Sequence, residues 1–249
     1  MARPLSNMSG AEAETRVALA ACYRLVALYG MDDIVYTHIS ARIPDAEDQF
    51  LINPFGTMFE EVTASSLVRI DLAGKVISPL GAHVNEAGFT IHSAVHAARP
   101  DVQCVLHTHT RAGMALSALE DGLLPLSQKA MLFHGRLAYH DYQGVAFDLA
   151  ERDSLVRDLG PHKAMVLRNH GLLTCGRDCA EAFSLMYQLE LACRVQMDVL
   201  AANAARRVPA AATAEKAASQ LWSYPMTPAQ LEWPGLLRKL DRLDPSYRD

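Results

Sequence analysis

Three imidazoles dominate the chemistry this chain could perform. The run Val105-Leu106-His107-Thr108-His109 places two histidines at His-x-His spacing, and Asn169-His170-Gly171 places a third 61 residues after His109. If Val102 to Leu106 is a buried strand, side chains two apart share a face, so His107 and His109 leave its end side by side. A histidine from a second strand end would complete a facial trio. Three neutral imidazoles hold Zn²⁺, Mn²⁺, Co²⁺ or Fe²⁺ and leave a coordination position free, as in catalytic sites and unlike closed structural ones. His-x-His alone also arises by chance; the Asn-His-Gly turn is what makes the ligand reading specific.

The rest of the composition narrows the class of protein around that site. With 249 residues, half of them hydrophobic, the chain suits one large domain better than two small ones. A net charge of -5, with the two signs interspersed, gives no basic footprint for nucleic acid. No apolar run reaches the roughly 18 residues needed to span a bilayer, and Met1-Ala2-Arg3-Pro4-Leu5 lacks a signal-peptide core. The expectation is a cytoplasmic protein with no membrane partner. Five cysteines, an odd number among apolar neighbours, read as reduced packing residues; Cys175-x-x-x-Cys179 has no second cysteine pair with which to build a zinc site.

The elements that must position the histidines follow from periodicity. Glu12 to Tyr29 has helical spacing and is closed by Gly30. Ile34 to Ser40, Gln49 to Asn53, Leu67 to Asp71 and Lys75 to Ser78 read as short strands, separated by turns at Pro44-Asp45, Pro54-Phe55-Gly56 and Ala73-Gly74. Strands joined so tightly must run antiparallel. A helix over Gly88 to Ala98 stops before Arg99-Pro100-Asp101 and delivers the chain to the His-x-His strand. Further helices are expected over Arg111 to Leu119, Asp148 to Leu159 and Cys179 to Ala205, with strands at Ala138-Tyr139, Ala164 to Arg168 and Leu172 to Cys175. These elements make a mixed α/β sheet covered by helices over residues 1–208. Residues 209–249 then form an Ala-rich link and a helical tail whose Trp233, Leu236, Leu237 and Leu240 recur at helical steps, for packing on the same or a neighbouring subunit.

Several segments together resemble the class II aldolase/adducin family: Thr37-His38-Ile39-Ser40-Ala41-Arg42, Leu51-Ile52-Asn53-Pro54-Phe55-Gly56, Ala97-Ala98-Arg99-Pro100-Asp101-Val102, His107-Thr108-His109 and Arg168-Asn169-His170-Gly171. The resemblance covers nearly all of residues 12–245. It implies a three-layer α/β/α fold with a central, mainly antiparallel sheet, a homotetramer, and a divalent metal, zinc first, held by His107, His109 and His170. Sugar-phosphate aldolases of the family carry a Pro-Ser-Ser-Glu-like segment that binds phosphate and supplies an acid/base. Here Asn85-Glu86-Ala87-Gly88 stands in its place, so Gly88 replaces the expected Glu. Thr37-His38 and Phe55 likewise replace residues of the phosphate loop. A carboxylate at Glu86 would repel a phosphate dianion and Phe55 offers it no hydrogen bond, which argues against a phosphorylated substrate.

The surviving half of the site points to a metal-dependent lyase acting on a carbon-carbon bond. A bound ion would act as Lewis acid for the enolate left when the bond breaks. Retro-aldol cleavage needs a base on the substrate hydroxyl, which Gly88 cannot supply, whereas decarboxylation reaches the enolate without removing a proton from carbon. The expected reaction is therefore decarboxylation of a hydroxy-aromatic or hydroxy-keto acid. Retro-aldol cleavage of an unphosphorylated substrate, iron-dependent oxygenation and a non-catalytic adducin-like interaction module are the alternatives. Candidate acid/base groups are His92, one helical turn beyond Gly88, and Glu86; packing and helix N-terminal roles are their structural alternatives. His38 and Arg42 are candidates for binding a substrate carboxylate, as turn histidine and surface ion pair are their plainer readings, and Phe55 would face the substrate. By resemblance, Lys129, or Gln128 beside it, stands where aldolases lend a tyrosine to the adjacent subunit, and there Lys129 would bind an anionic substrate or donate a proton; otherwise Lys129 is an exposed lysine.

Overall fold

In the computed structural model, which describes residues 9–44, 46–145 and 150–249, an eight-stranded mixed sheet is flanked by helices. The turn residue Asp45 and the proposed helix start at Asp148 lie outside the described residues. The chain opens with α1 (Gly10–Leu28), then β1 (His38–Ile43), β2 (Ala46–Ile52), β3 (Val68–Asp71) and β4 (Val76–Ser78). Helix α2 (Glu86–Ala98) leads into β5 (Cys104–Thr108), followed by α3 (Arg111–Ser117), α4 (Gln128–Met131) and β6 (Ala138–His140). Helix α5 (Glu151–Leu159) precedes β7 (Ala164–Leu167), β8 (Gly171–Gly176) and the long α6 (Cys179–Ala201). Three further helices, α7 (Ala211–Trp222), α8 (Pro228–Leu231) and α9 (Trp233–Leu243), and a 3₁₀ helix (Pro245–Arg248) complete the chain.

Strand order is β4-β3-β2-β1-β5-β8-β7-β6, and only the β6–β7 pair is parallel. The central strands β1, β5 and β8 are buried along their whole length because helices cover both faces. On one face the core joins Leu19, Leu25 and Val26 of α1 to Ala182, Met186 and Leu189 of α6. On the other, Ile91 and Val95 of α2 meet Leu155 and Leu159 of α5. The five cysteines are all buried and unpaired.

Two local features differ from the periodicity reading. The strand expected from Ile34 begins only at His38, because Ile34 and Thr37 take left-handed backbone angles, φ +53° and +65° respectively. Such angles cannot continue a strand and are costly for β-branched residues, a kind of strain that gathers at functional sites. The Ala-rich stretch is no extended link: residues 211–222 form α7, as the helix propensity of alanine favours, with Ala214 and Ala218 buried. The apolar stripe of α9 turns onto its own subunit. Leu240 joins the core with Trp233, Leu236 and Leu237 packed against it, Tyr247 is fully buried, and Arg24 of α1 pairs with Asp244.

Candidate metal centre

Sheet register brings the histidines together. His38 of β1 lies directly across from His107 of β5, which in turn pairs with Leu173 of β8. Directly opposed residues point to the same face, so His38 and His107 emerge as neighbours with ring centroids 5.4 Å apart. The end of β1 is pinned by Tyr23 of α1. Its hydroxyl accepts from the amides of Ile39 at 2.8 Å and Asn53 at 3.2 Å, and its proton goes to the Ile39 carbonyl or the Asn53 side chain. At the β7–β8 turn, Asn169 adopts φ +54°, which asparagine tolerates better than most residues. Gly171 follows with no side chain, because a Cβ there would fall on the carbonyl oxygen of Thr108. Those two backbone constraints aim His170 at the pair from β5.

The three Nε2 atoms converge: His107 to His109 is 2.9 Å and His109 to His170 is 2.9 Å. Their far nitrogens fix the tautomers. His107 Nδ1 faces the Leu172 carbonyl at 2.9 Å, and His109 Nδ1 faces the Asp33 carboxylate at 3.0 Å. A carbonyl or carboxylate oxygen only accepts, so both Nδ1 atoms carry the hydrogen and both Nε2 atoms present lone pairs. Two lone pairs 2.9 Å apart repel unless a cation draws them together. Burial, with the neighbouring histidines adding to it, pushes His107 well below the ordinary histidine range and His170 down to about 4, so neither carries a proton in competition. The donor set fits a divalent ion of borderline softness, and the Nδ1 partners are those that orient a metal-bound histidine. Asp33, in the strained segment after α1, carries no sequence signal: it belongs to no periodic element and stands beside Asp32.

The trio opens onto a cavity of about 650 Å³, which also receives His38, Asn85, Ile91 and, at its exposed mouth, Tyr36, Phe55, Tyr142 and Val145. Among the described residues no lysine or arginine lines it. Phe55 lines this cavity. His38 is the deeper group: it is buried, both ring nitrogens lack a partner, and burial with the repulsion of His109 and His170 holds it near pKa 3, hence neutral. Gly88 explains its place. A Cβ on that residue would lie 2.5 Å from three atoms of the His38 ring, to within a tenth of an ångström, so the glycine at 88 is what admits the histidine at 38.

The remaining sequence candidates are distributed elsewhere. His92 is fully buried behind His38, rings 4.4 Å apart, and does not line the cavity; its Nδ1 meets Ser40 Oγ at 2.6 Å. Arg42 sits four residues along β1 from His38, about 13 Å away at strand rise. Its guanidinium is bound to the main-chain carbonyls of Glu47 and His96, so it fastens α2 to β1 instead of reaching substrate. Glu86 is the first residue of α2, next to Asn85, and its side chain lies outside the described residues. Lys129 lines a different cavity, of about 420 Å³, between α4, α6 and the C-terminal helices with Arg177, Trp222 and Tyr224.

Residues 17–197 match the Class II Aldolase and Adducin N-terminal domain, and the chain belongs to that family. A solved aldolase II superfamily protein from Pseudomonas syringae is 48% identical, covering 98% of each chain, with a TM-score of 0.93. An L-fuculose 1-phosphate aldolase from Glaciozyma antarctica PI12 is 30% identical over 99% of this chain and 97% of its own, at a TM-score of 0.85. Alpha-adducin of Rattus norvegicus is 43% identical over 81% of this chain, which spans only 29% of the adducin.

Proposed function

We infer that the protein is a metal-dependent lyase that cleaves a carbon-carbon bond of an unphosphorylated substrate, by decarboxylation of a hydroxy-aromatic or hydroxy-keto acid. The observation that carries this reading is the convergence of the Nε2 atoms of His107, His109 and His170, the first two bare of hydrogen, onto a cavity with no lysine or arginine among its described lining residues. A divalent ion held there, zinc first with Mn, Co or Fe as alternatives, supplies Lewis acidity for a carbonyl or phenolate oxygen. Tyr36, Phe55, Ile91, Tyr142 and Val145 offer apolar surface to the body of the substrate. When carbon dioxide leaves, the bonding electron pair stays on the substrate and a proton must return to carbon. His38, neutral and facing the cavity, can hydrogen-bond the reacting group, with His92 behind it; Glu86 follows the lining residue Asn85 in sequence.

A retro-aldol reaction on a sugar phosphate is the second reading, favoured by the name of the Glaciozyma relative. The absence of a cationic side chain among the described lining residues weighs against it, since a phosphate dianion buried without a cation or donor array is strongly disfavoured. We further propose a cytoplasmic homo-oligomer, a tetramer, in which Lys129 approaches a neighbouring subunit's cavity, with no nucleic-acid or membrane partner. No helix among the described residues is long and apolar enough to cross a membrane.

Metal analysis of the purified protein and its His109→Ala variant, followed by a substrate screen, tests the proposal. The expected result is one ion per wild-type chain, loss of most metal in the variant, and release of carbon dioxide from hydroxy-aromatic or hydroxy-keto acids. Turnover of a ketose phosphate would move the function to the second reading. Activity that needs oxygen and is lost when zinc replaces iron would mark an oxygenase. Undiminished metal in the variant would overturn the histidine trio as the ligand set, and no stoichiometric metal in the wild type would favour an interaction module.

A further inference from the structure

Behind His38 lies a buried row of polar groups that do not line the cavity. His38, Ser40 and Arg42 share one face of β1 by the two-residue period of a strand, and His92 and His96 share one face of α2 at i, i+4. The two faces meet. Ser40 Oγ lies 2.6 Å from His92 Nδ1 and 2.8 Å from His96 Nε2, and all three residues are almost wholly removed from solvent. His96 is anchored at the far end, its main-chain carbonyl accepting from Arg42 and its ring packed on Phe50 with centroids 4.9 Å apart.

A serine hydroxyl has one proton to give. Between two neutral imidazoles it must donate to one ring and accept from the other, so the hydroxyl ties both rings at once and correlates their tautomers. Without it, two buried nitrogens would lose their partner, at a cost large enough to turn or shift a ring. His92, so fixed, is the wall against which His38 lies at 4.4 Å, while Gly88, one helical turn earlier on α2, leaves the space that the same ring occupies. His38 itself has no hydrogen bond to hold its ring. Its orientation toward the cavity is therefore set chiefly by packing, and that packing rests on the serine bridge.

We propose that Ser40, His92 and His96 are positioning residues that fix the His38 ring as the substrate-contacting imidazole of the cavity. This rests on the reading that the cavity in front of the histidine trio is the reaction site. It assigns a function to a serine and a histidine, Ser40 and His96, that no spacing argument singled out. It also gives His92 a role through His38 instead of direct contact with substrate.

The test uses the full chain labelled with ¹⁵N-histidine, in three forms: wild type, Ser40→Ala, and Ser40→Thr, which keeps the hydroxyl. In metal-free protein, His38 resonances are assigned by their loss in His38→Gln. Wild type and Ser40→Thr should give one sharp His38 set, whereas Ser40→Ala should give shifted or doubled His38 signals together with altered His92 and His96 tautomers. His96→Gln, which keeps an amide for the serine, should sit between these limits and covers the case of a poorly folding Ser40→Ala. In zinc-loaded protein, 2-hydroxybenzoate as probe should bind about tenfold more weakly to Ser40→Ala than to wild type, with zinc content unchanged and affinity recovered in Ser40→Thr. His38 signals identical to wild type in both Ser40→Ala and His96→Gln would overturn the proposal. So would probe affinity that Ser40→Ala leaves unchanged. Failure of the wild type to hold zinc or probe would instead count against the proposed reaction, and the metal-free spectra would still decide the positioning role.

Discussion

Asp33 offers the sharpest test of the metal centre, because its contribution can be separated from the ligands themselves. Its carboxylate receives the Nδ1 hydrogen of His109 at 3.0 Å, and about two-fifths of its side chain is exposed, so a substitution there leaves the core intact. A hydrogen bond to a charged acceptor is worth roughly 1.5–3 kcal/mol and a neutral one about half of that. Asp33→Asn keeps an acceptor oxygen but loses the charge, a difference of about 1 kcal/mol, which is a fivefold weakening of metal binding. Asp33→Ala removes the bond altogether and frees the His109 ring, so the loss should reach about 2 kcal/mol, or roughly 30-fold, inside the 10- to 100-fold range typical of groups that orient a metal-bound histidine. The assay is competition with a chromophoric chelator at fixed pH, combined with urea denaturation of the metal-free forms. Expected is the order wild type, Asn, Ala in affinity, with metal-free stabilities within about 0.5 kcal/mol of one another, as for other surface changes. Equal affinities across the series would refute the assignment of His109 Nε2 as a ligand oriented from Nδ1.

Two further outcomes follow from burial and topology. His38 and His96 are held near pKa 3 mainly by desolvation, below the value of about 6.5 expected in the unfolded chain, so their stabilising contribution is complete above pH 6.5 and is lost as the pH falls toward 3. Between pH 7.5 and pH 5 each should cost about 2 kcal/mol, and urea midpoints of chelator-treated protein that do not fall over that window would contradict their buried neutral state. For the shared-site arrangement, mixing inactive His109→Ala subunits with inactive Lys129→Ala subunits should restore part of the activity, because a hybrid interface pairs an intact trio with an intact lysine; a fully active monomer would exclude it.

Much of this molecule is written locally. His-x-His at a strand end, the Asn-His-Gly turn and the helix that stops before Arg99-Pro100 are short-range signals, and backbone period alone puts His107 and His109 on one face. The left-handed Asn169 and the obligatory Gly171 are also sequence properties, since few residues accept those conditions. What the sequence could not state is which side chains from distant strands stand in front of one another. Asp33 reaches His109 across 76 positions and Ser40 reaches His92 across 52, contacts set by the β1–β5 register and the seating of α2 on it. Arg42 was legible as a donor of bidentate hydrogen bonds, yet the fold spends it on main-chain carbonyls four residues from the cavity. The glycine at 88 reads in sequence as a missing carboxylate; only in three dimensions is it the space that the His38 ring fills, because excluded volume between a strand and a helix is decided by tertiary packing and by nothing local.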